Sequence, residues 1–556
     1  MRKVLVLLLM VAGCASVPPV PPPVPVTPRP PTAPTLPTLP TTTDVQESWR
    51  ITRRGAEHEI EGYADQVSVL PGERFHLRVS TTAPRFSASA FRMGANPAKV
   101  WESPEVEGER QEPMKVVGGP VTGMVSAAHW RPSLSVDTTG WPEGAYLIRL
   151  DASTGAQRHV PITVRSASTA GRVVIVNAVT TWQAYNLWGG RSLYQGPGGF
   201  DGRSRAVTFD RPYDHDGARL FLDFEKDALA VAEQSRVPLA YLTNLDLEPG
   251  VLDGARAVVS LGHDEYWSPG MRGVVTRARD GGTNLAFLGA NAVYWRIAMH
   301  GRTIACDKER LCRLWRDSEP ESALVGQMYD CFPAEGVYRV TRPGHWIFAG
   351  AKGRSFPGMV GVEADKVSRG SPGNVKVLAE SPLSCGGRAT VSHSTYYVAR
   401  GGAGVFASGT MRWVCAMRGR RCGHGVPDRA AAFTRRATTN LLARFAEGPA
   451  GARTTGPSSR DSTPSSRCSV PTKLCPSRSA SRSVSSSTFL LSAANGTDSG
   501  DVPSPGPSAA VTASLTASGE APSVTMALVA SPSGSLSRPS VNHGLTLEDR
   551  QPVVDG

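Results

Sequence analysis

Arg256-Ala-Val-Val-Ser-Leu-Gly-His-Asp-Glu-Tyr-Trp-Ser-Pro269 is the stretch that decides the fold. Arg256 to Leu261 form a short β-branched, apolar run, the pattern of a strand buried on both faces. Gly262 stops that run, and His263, Asp264, Glu265, Tyr266 and Trp267 follow at once. Ser268-Pro269 supplies an N-cap and a first-turn proline, so a helix is expected to about Asp280, ended by Gly281-Gly282. Thr283 to Leu288 reads as a second buried strand, ending in Gly289-Ala290-Asn291. Such a strand–loop–helix–strand unit belongs to an open parallel α/β sheet, where ligands sit outside the carboxyl ends of the strands. His263, Asp264 and Glu265 stand in that position. The alternative has Glu265 capping the following helix and His263 as an ordinary turn residue.

Working outward, the same alternation continues. Arg172-Val-Val-Ile-Val-Asn177 is a buried strand, followed by a Gly-rich loop with Tyr185-Asn-Leu-Trp-Gly-Gly190 and Ser192-Leu-Tyr194. Residues 217–235 carry apolar side chains at helical spacing, and Leu239-Ala-Tyr-Leu242 is a further strand. Strands are expected near 336–340, 346–348, 374–379, 389–399 and 403–408, and a last helix over 427–446. Tyr185 follows the first strand, His263 and Glu265 the third, and Asn291 the fourth, so all open on one sheet edge. Upstream, residues 44–166 show short alternating runs such as Arg74–Val79 and Ala145–Leu150, separated by Pro-Gly and Trp-Pro-Glu-Gly turns. That spacing suggests an immunoglobulin-like β-sandwich. The expected fold class is α+β multidomain: this sandwich, then a doubly wound, glutamine-amidotransferase-like α/β domain over 171–447.

The 556 residues exceed one core, since domains usually hold roughly 100–200 residues. The net charge of +12 comes from basic residues scattered among acids, whereas nucleic-acid binding needs a concentrated stripe. Arg2-Lys3, the apolar run Val4–Val11 and Ala12-Gly13-Cys14 describe a secretory leader with a lipobox-like end. This implies cleavage after residue 13, a lipid on Cys14, and an exported lipoprotein of the bacterial envelope. Residues 14–43 read as a Pro/Thr-rich tether, and 451–556 as a disordered Ser/Pro-rich tail. Cys306, Cys312, Cys331, Cys385, Cys415 and Cys422 permit one to three disulfides, with the pairing open.

The turn after the third strand bears no Ser or Cys, which excludes a nucleophile elbow, and no His-Glu-x-x-His occurs. Glu265 and Tyr185 are instead hard, anionic oxygen donors. A phenol ionises near pH 10 in water, so phenolate ligation calls for a strongly polarising cation such as ferric iron.

Tyr185-Asn-Leu-Trp-Gly-Gly190, Gly262-His-Asp-Glu-Tyr-Trp-Ser268 and Phe287-Leu-Gly-Ala-Asn-Ala-Val-Tyr-Trp-Arg296 resemble the large (β) subunit of the N,N-dimethylformamidase family, over roughly residues 140–447. The resemblance implies a mononuclear Fe(III) held by two tyrosines and a glutamate, and hydrolysis of a small formamide. It maps the glutamate to Glu265, one tyrosine to Tyr185 and the other to Tyr146 in Gly144-Ala-Tyr-Leu-Ile-Arg-Leu150. It puts His263 and Asn291 at catalytic or supporting positions, and Lys308 on a family lysine. The implied chemistry is metal-assisted, with His263 moving the proton and Asn291 donating to the developing oxyanion. The implied partners are a small amide substrate and, through Cys14, a membrane; an oligomer is compatible with this reading. The family enzyme is cytosolic with a small partner subunit, unlike an exported lipoprotein, so the substrate stays open. The competing expectation is a non-catalytic envelope protein binding a glycan or peptide through Trp182, Trp188, Tyr194, Trp267 and Trp295.

Overall fold

Alternating side chains build the first unit. In a computed structural model, which describes residues 48–452, the strands Ile60–Ala64, Arg74–Thr81 and Leu134–Asp137 form one antiparallel sheet. A second sheet runs Ser68–Val69, Gln157–Val164, Gly144–Ala152, Arg85–Met93 and Ala98–Glu102. Ile60, Phe75 and Leu77 of the first sheet share one core with Phe86, Ile148, Leu150 and Ile162 of the second. This is a two-layer β unit, as the turn spacing led us to expect. The expected leader, tether and tail, with Cys14, lie outside the described residues.

The continuous apolar runs form a nine-stranded sheet. Its order is Leu239–Thr243, Val173–Asn177, Ala257–Leu261, Asn284–Leu288, Gly404–Ala407, Arg388–Val398, Lys376–Cys385, Ala334–Arg339 and Ser355–Val360. The first five strands are mutually parallel and the remaining pairings antiparallel. In chain order the parallel strands stand 2-1-3-4-5, a doubly wound arrangement with its switch point between the first and third. Both faces are covered, which is why these strands read as unbroken apolar runs. Val173, Ile175, Val259 and Leu288 pack in a core with Leu229 and Phe433 of the helices Lys226–Gln234 and Asp428–Ala446. Val174, Val176, Val258 and Phe287 point the other way, to Met271, Val274 and Val275 of the helix Pro269–Asp280. Ser268 caps that helix by accepting from Met271 N at 3.3 Å.

Three elements differ from expectation, one of them the helix Val179–Tyr185, which stands where a Gly-rich loop is expected. Residues 346–348 are a 3-10 turn rather than a strand, because Phe348 stacks beneath the last helix on Phe433, centroids 5.4 Å apart. A buried helix-facing run has the same apolar signature as a strand. The helix expected over 217–235 is two, Arg219–Phe224 and Lys226–Gln234, broken where Glu225 turns inward. Three disulfides join Cys306–Cys312, Cys331–Cys385 and Cys415–Cys422.

Candidate functional site

The switch point is where the first and third parallel strands part, and the chain fills it with short, tightly held turns. The first strand leads into the helix Val179–Tyr185, so Tyr185 ends a helix instead of lying on a loop. Buried Glu225 holds the start of that helix, accepting from Ala178 N (3.1 Å), Asn177 Nδ2 (2.6 Å) and Trp182 Nε1 (2.7 Å). The chain then doubles back, Leu193 N donating to Ala184 O at 2.9 Å, and Tyr194 arrives beside Tyr185. The loop after the third strand is fastened to the same helix, Glu265 N donating to Thr181 Oγ1 at 2.9 Å.

Two glycines let the strand ends close up. Gly262 has φ +54°, and a Cβ there would lie 2.5 Å from Phe224 Cβ. A Cβ on Gly289 would lie 1.7 Å from Gly262 O, so no side chain fits. Beyond Gly289, Asn291 (φ 56°) and Val293 (φ 57°) are both left-handed. For a β-branched valine this costs roughly 1–3 kcal/mol, a strain typical of functional turns. Val293 N donates to Asp264 O, and Tyr294 N and Trp295 N to Glu265 O, each at 2.9 Å, which holds the turn in place.

Glu265 is the centre of what results. Its Oε2 accepts from the Tyr185 hydroxyl at 2.7 Å and its Oε1 from the Tyr194 hydroxyl at 2.6 Å. The two phenol rings are stacked, centroids 4.5 Å apart. Trp295 Nε1 donates to the Tyr194 oxygen at 3.1 Å, and Asn291 Nδ2 lies 3.4 Å from Glu265 Oε1. His263 Nε2 sits 3.3 Å from Glu265 Oε2 and 3.7 Å from Glu363 Oε2, paired by charge but not aligned for a hydrogen bond. Lys308 Nζ, buried and without a hydrogen-bond partner, stands 3.0 Å from the centroid of the Tyr194 ring. A cavity of about 50 Å³ opens among Tyr185, Tyr194, Glu265, Asn291 and Glu363.

The electrostatics follow from burying so many polar groups together. Burial, then the Glu265 charge, raises both Tyr185 and Tyr194 well above the ordinary phenol range. Burial opposes charging of His263, yet Glu363, Glu265 and Asp264 outweigh it and raise the imidazole. Glu363 is pushed up to about 8, chiefly by burial, and Lys308 falls well below the usual lysine range for the same reason. Glu265 moves the other way: burial resists, but His263 beside it lowers its carboxyl.

The structure brings together five of the six residues expected in the site: Tyr185, His263, Glu265, Asn291 and Lys308. Tyr146 is a correction. Its hydroxyl donates to Pro142 O at 2.5 Å and its ring stacks on Trp141, inside the core of the β unit. An inward-facing strand position on that sheet serves packing, and its one polar atom is satisfied locally. Tyr194, rather than Tyr146, stands beside Tyr185 and Glu265. Two tyrosines within ten residues after a strand at the switch point were the available signal. Glu363 was also missed; it follows a short loop with no motif around it, and only its burial marks it.

Two phenols and a carboxylate converging through 2.6 and 2.7 Å contacts form a hard, all-oxygen donor set, which fits a small, highly charged cation. Among the described residues, no cluster of three or more His, Cys, Asp or Glu side chains is arranged to hold a metal.

No curated protein matches the sequence. Among solved structures it is similar to a ThuA-like protein from Bacteroides uniformis, with 10% identity, covering 50% of this chain and 93% of that one, at a TM-score of 0.26. A cytoplasmic protein from Salmonella typhimurium shares 9% identity over 33% of this chain and 74% of its own, TM-score 0.18. A cycloisomaltooligosaccharide glucanotransferase from a Paenibacillus species, complexed with cycloisomaltoheptaose, shares 14% over 23% of this chain, TM-score 0.14; the chain spans only 18% of its length. These likenesses are too slight to bear on fold or activity. A family model described as N,N-dimethylformamidase beta subunit-like, C-terminal, matches residues 87–427, from inside the β unit to the start of the last helix. With most of its described length matched in this way, the chain belongs to the N,N-dimethylformamidase beta subunit-like family.

Proposed function

We propose that the chain is an iron-dependent hydrolase of an amide C–N bond, with Tyr185, Tyr194 and Glu265 as the ligands of one ferric ion. The observation that carries this is the pair of phenol hydroxyls seated on the two oxygens of a single buried carboxylate. Each phenol holds one proton against Glu265; loss of both leaves three converging anionic oxygens. When bound, iron would supply a Lewis acid for an amide carbonyl and acidify a water. His263 Nε2, facing Glu265 and Glu363, carries the proton that the departing amine nitrogen needs. Asn291 Nδ2 borders the same cavity and donates to oxygen charge developing there. Lys308 covers the outer face of Tyr194, excluding water from the ring and fixing its orientation.

The same reading takes the β unit as immunoglobulin-like, the α/β unit as amidotransferase-like, and the protein as exported and anchored through Cys14. The three disulfides suit an oxidising compartment. The competing reading, a glycan or peptide binder using Trp182, Trp188, Tyr194, Trp267 and Trp295, has less support. Trp182, Trp188 and Trp267 are buried, and Trp182, Trp188, Tyr194 and Trp295 already donate to Glu225, Glu61, Glu265 and the Tyr194 oxygen respectively.

Elemental analysis and a screen of small amides test the proposal together. The purified full chain is expected to contain iron, to absorb visible light through phenolate-to-iron charge transfer, and to hydrolyse a formamide. Glu265→Ala is expected to lose all three. A colourless, metal-free and inactive wild-type protein contradicts it.

A further inference from the structure

The small cavity beside Glu265 is one of two spaces that meet at Tyr185. The other is a cleft of about 440 Å³ bordered by the segments around 213–224 and 411–424. Tyr185 lines both spaces, and His263 lines the cleft while its Nε2 faces Glu265 and Glu363 across from it. The two spaces thus share Tyr185, and a group in the cleft has both Tyr185 and His263 on its wall.

The sizes decide what each space can take. The inner cavity, at about 50 Å³, admits a few waters or the amide head of a substrate, one water needing roughly 10–15 Å³ of such space. The cleft, at about 440 Å³, is far larger and lies within the range of sites that bind drug-sized molecules, roughly 300–1,000 Å³, so it accepts a body much bigger than the amide head.

The wall chemistry narrows the class. Trp182, Leu187, Leu220, Phe221, Phe224 and Met411 give it an apolar lining. Its three arginines are already engaged: Arg219 lies 3.8 Å from Asp223, Arg412 grips Glu335, and Arg418 pairs with Asp227. Arg219 also donates to His215 Nε2 at 2.9 Å, Asp214 accepts from Leu187 N at 2.9 Å, and burial beside Arg412 lowers His424, so each charged group of the wall already has a partner.

We infer that this cleft is the binding site for the body of the substrate, and that the substrate is an uncharged amide bearing an aryl or long alkyl group rather than a small formamide. The inference rests on the amide-hydrolase reading and deepens it. The amide reaches past Tyr185 to the inner cavity, while the apolar group stays between Leu220 and Met411.

Calorimetric binding and steady-state kinetics with formanilide and N,N-dimethylformamide, on the full chain, test it. Formanilide is expected to bind at least roughly tenfold more tightly than N,N-dimethylformamide, and to be hydrolysed with a correspondingly lower KM. Leu220→Trp, which fills the cleft, is expected to weaken formanilide binding by about tenfold or more with an unchanged melting temperature; Leu220→Ala is a second variant should the tryptophan disturb folding, expected to weaken it several-fold. Equal affinity for the two amides, or formanilide binding indifferent to both variants, overturns the inference. Tight, variant-sensitive binding with no hydrolysis of either amide upholds the cleft and rejects the hydrolase reading instead.

Discussion

Glu265 accepts from both phenols while His263 stands 3.3 Å away, so removing the imidazole leaves the oxygen cluster intact and, on the mechanism we propose, takes away the proton carrier. His263→Gln is accordingly expected to keep its iron and to lose activity by roughly 10²–10⁴ in kcat, measured on whichever amide is turned over. Glu225 governs stability rather than chemistry. Burial pushes its carboxyl up to about 8, although Asn177, Ala178 and Trp182 all donate to it. An acid raised on folding binds its proton in the native state while the unfolded chain has lost it. Stability therefore falls as pH rises from about 4.5 to about 8 and is level above that. Urea unfolding across this window is expected to show a decline that is smaller by a few kcal/mol in Glu225→Gln than in the wild type, the remainder belonging to other buried acids such as Glu363, also raised to about 8; equal slopes would remove Glu225 as a cause. At this scale the sequence was legible where residues sat on strand ends. Glu265, His263 and Asn291 could be placed because apolar runs stopped immediately before them. Tyr146 misled because a family-like motif on an alternating strand says nothing about which way the hydroxyl is satisfied.

The elements are held together at the switch point by close backbone approach. Gly289 admits the carbonyl of Gly262 where a Cβ would stand at 1.7 Å, and the chain has no flexible side chain there to yield. Gly289→Ala is expected to cost about 3 kcal/mol or more and to displace Asn291, read as a lower melting temperature together with lost activity. A stable, active variant would show that the two strand ends are free to separate. The parallel strands and the helix Pro269–Asp280 were readable because buried strands are continuously apolar and Ser-Pro opens helices. The 3-10 turn over 346–348 was not, since burial against a helix and burial in a sheet select the same residues. The break at Glu225 was hidden for another reason: a helical period continues across it, and only the carboxylate's distant partners pull the chain in.

Across the whole molecule, the β unit bears on the site through packing and one hydrogen bond. Trp188, between the two tyrosines in sequence, donates its indole N–H to Glu61 on the strand Ile60–Ala64 at 2.8 Å and packs edge-on against Trp130. That contact fixes the loop that returns Tyr194 to Tyr185, a long-range dependence that no local pattern could reveal. The β unit thus positions the second phenol indirectly, while its own Tyr146 remains in its core. Comparing Tyr194→Phe with Tyr146→Phe separates these two roles most directly, using iron content and visible absorbance of the full chain. Tyr194→Phe is expected to lose the colour and most of the iron, and Tyr146→Phe to keep both while losing about 1 kcal/mol of stability with its hydrogen bond to Pro142. Retained colour in Tyr194→Phe, or its loss in Tyr146→Phe, would contradict a centre built from Tyr185, Tyr194 and Glu265.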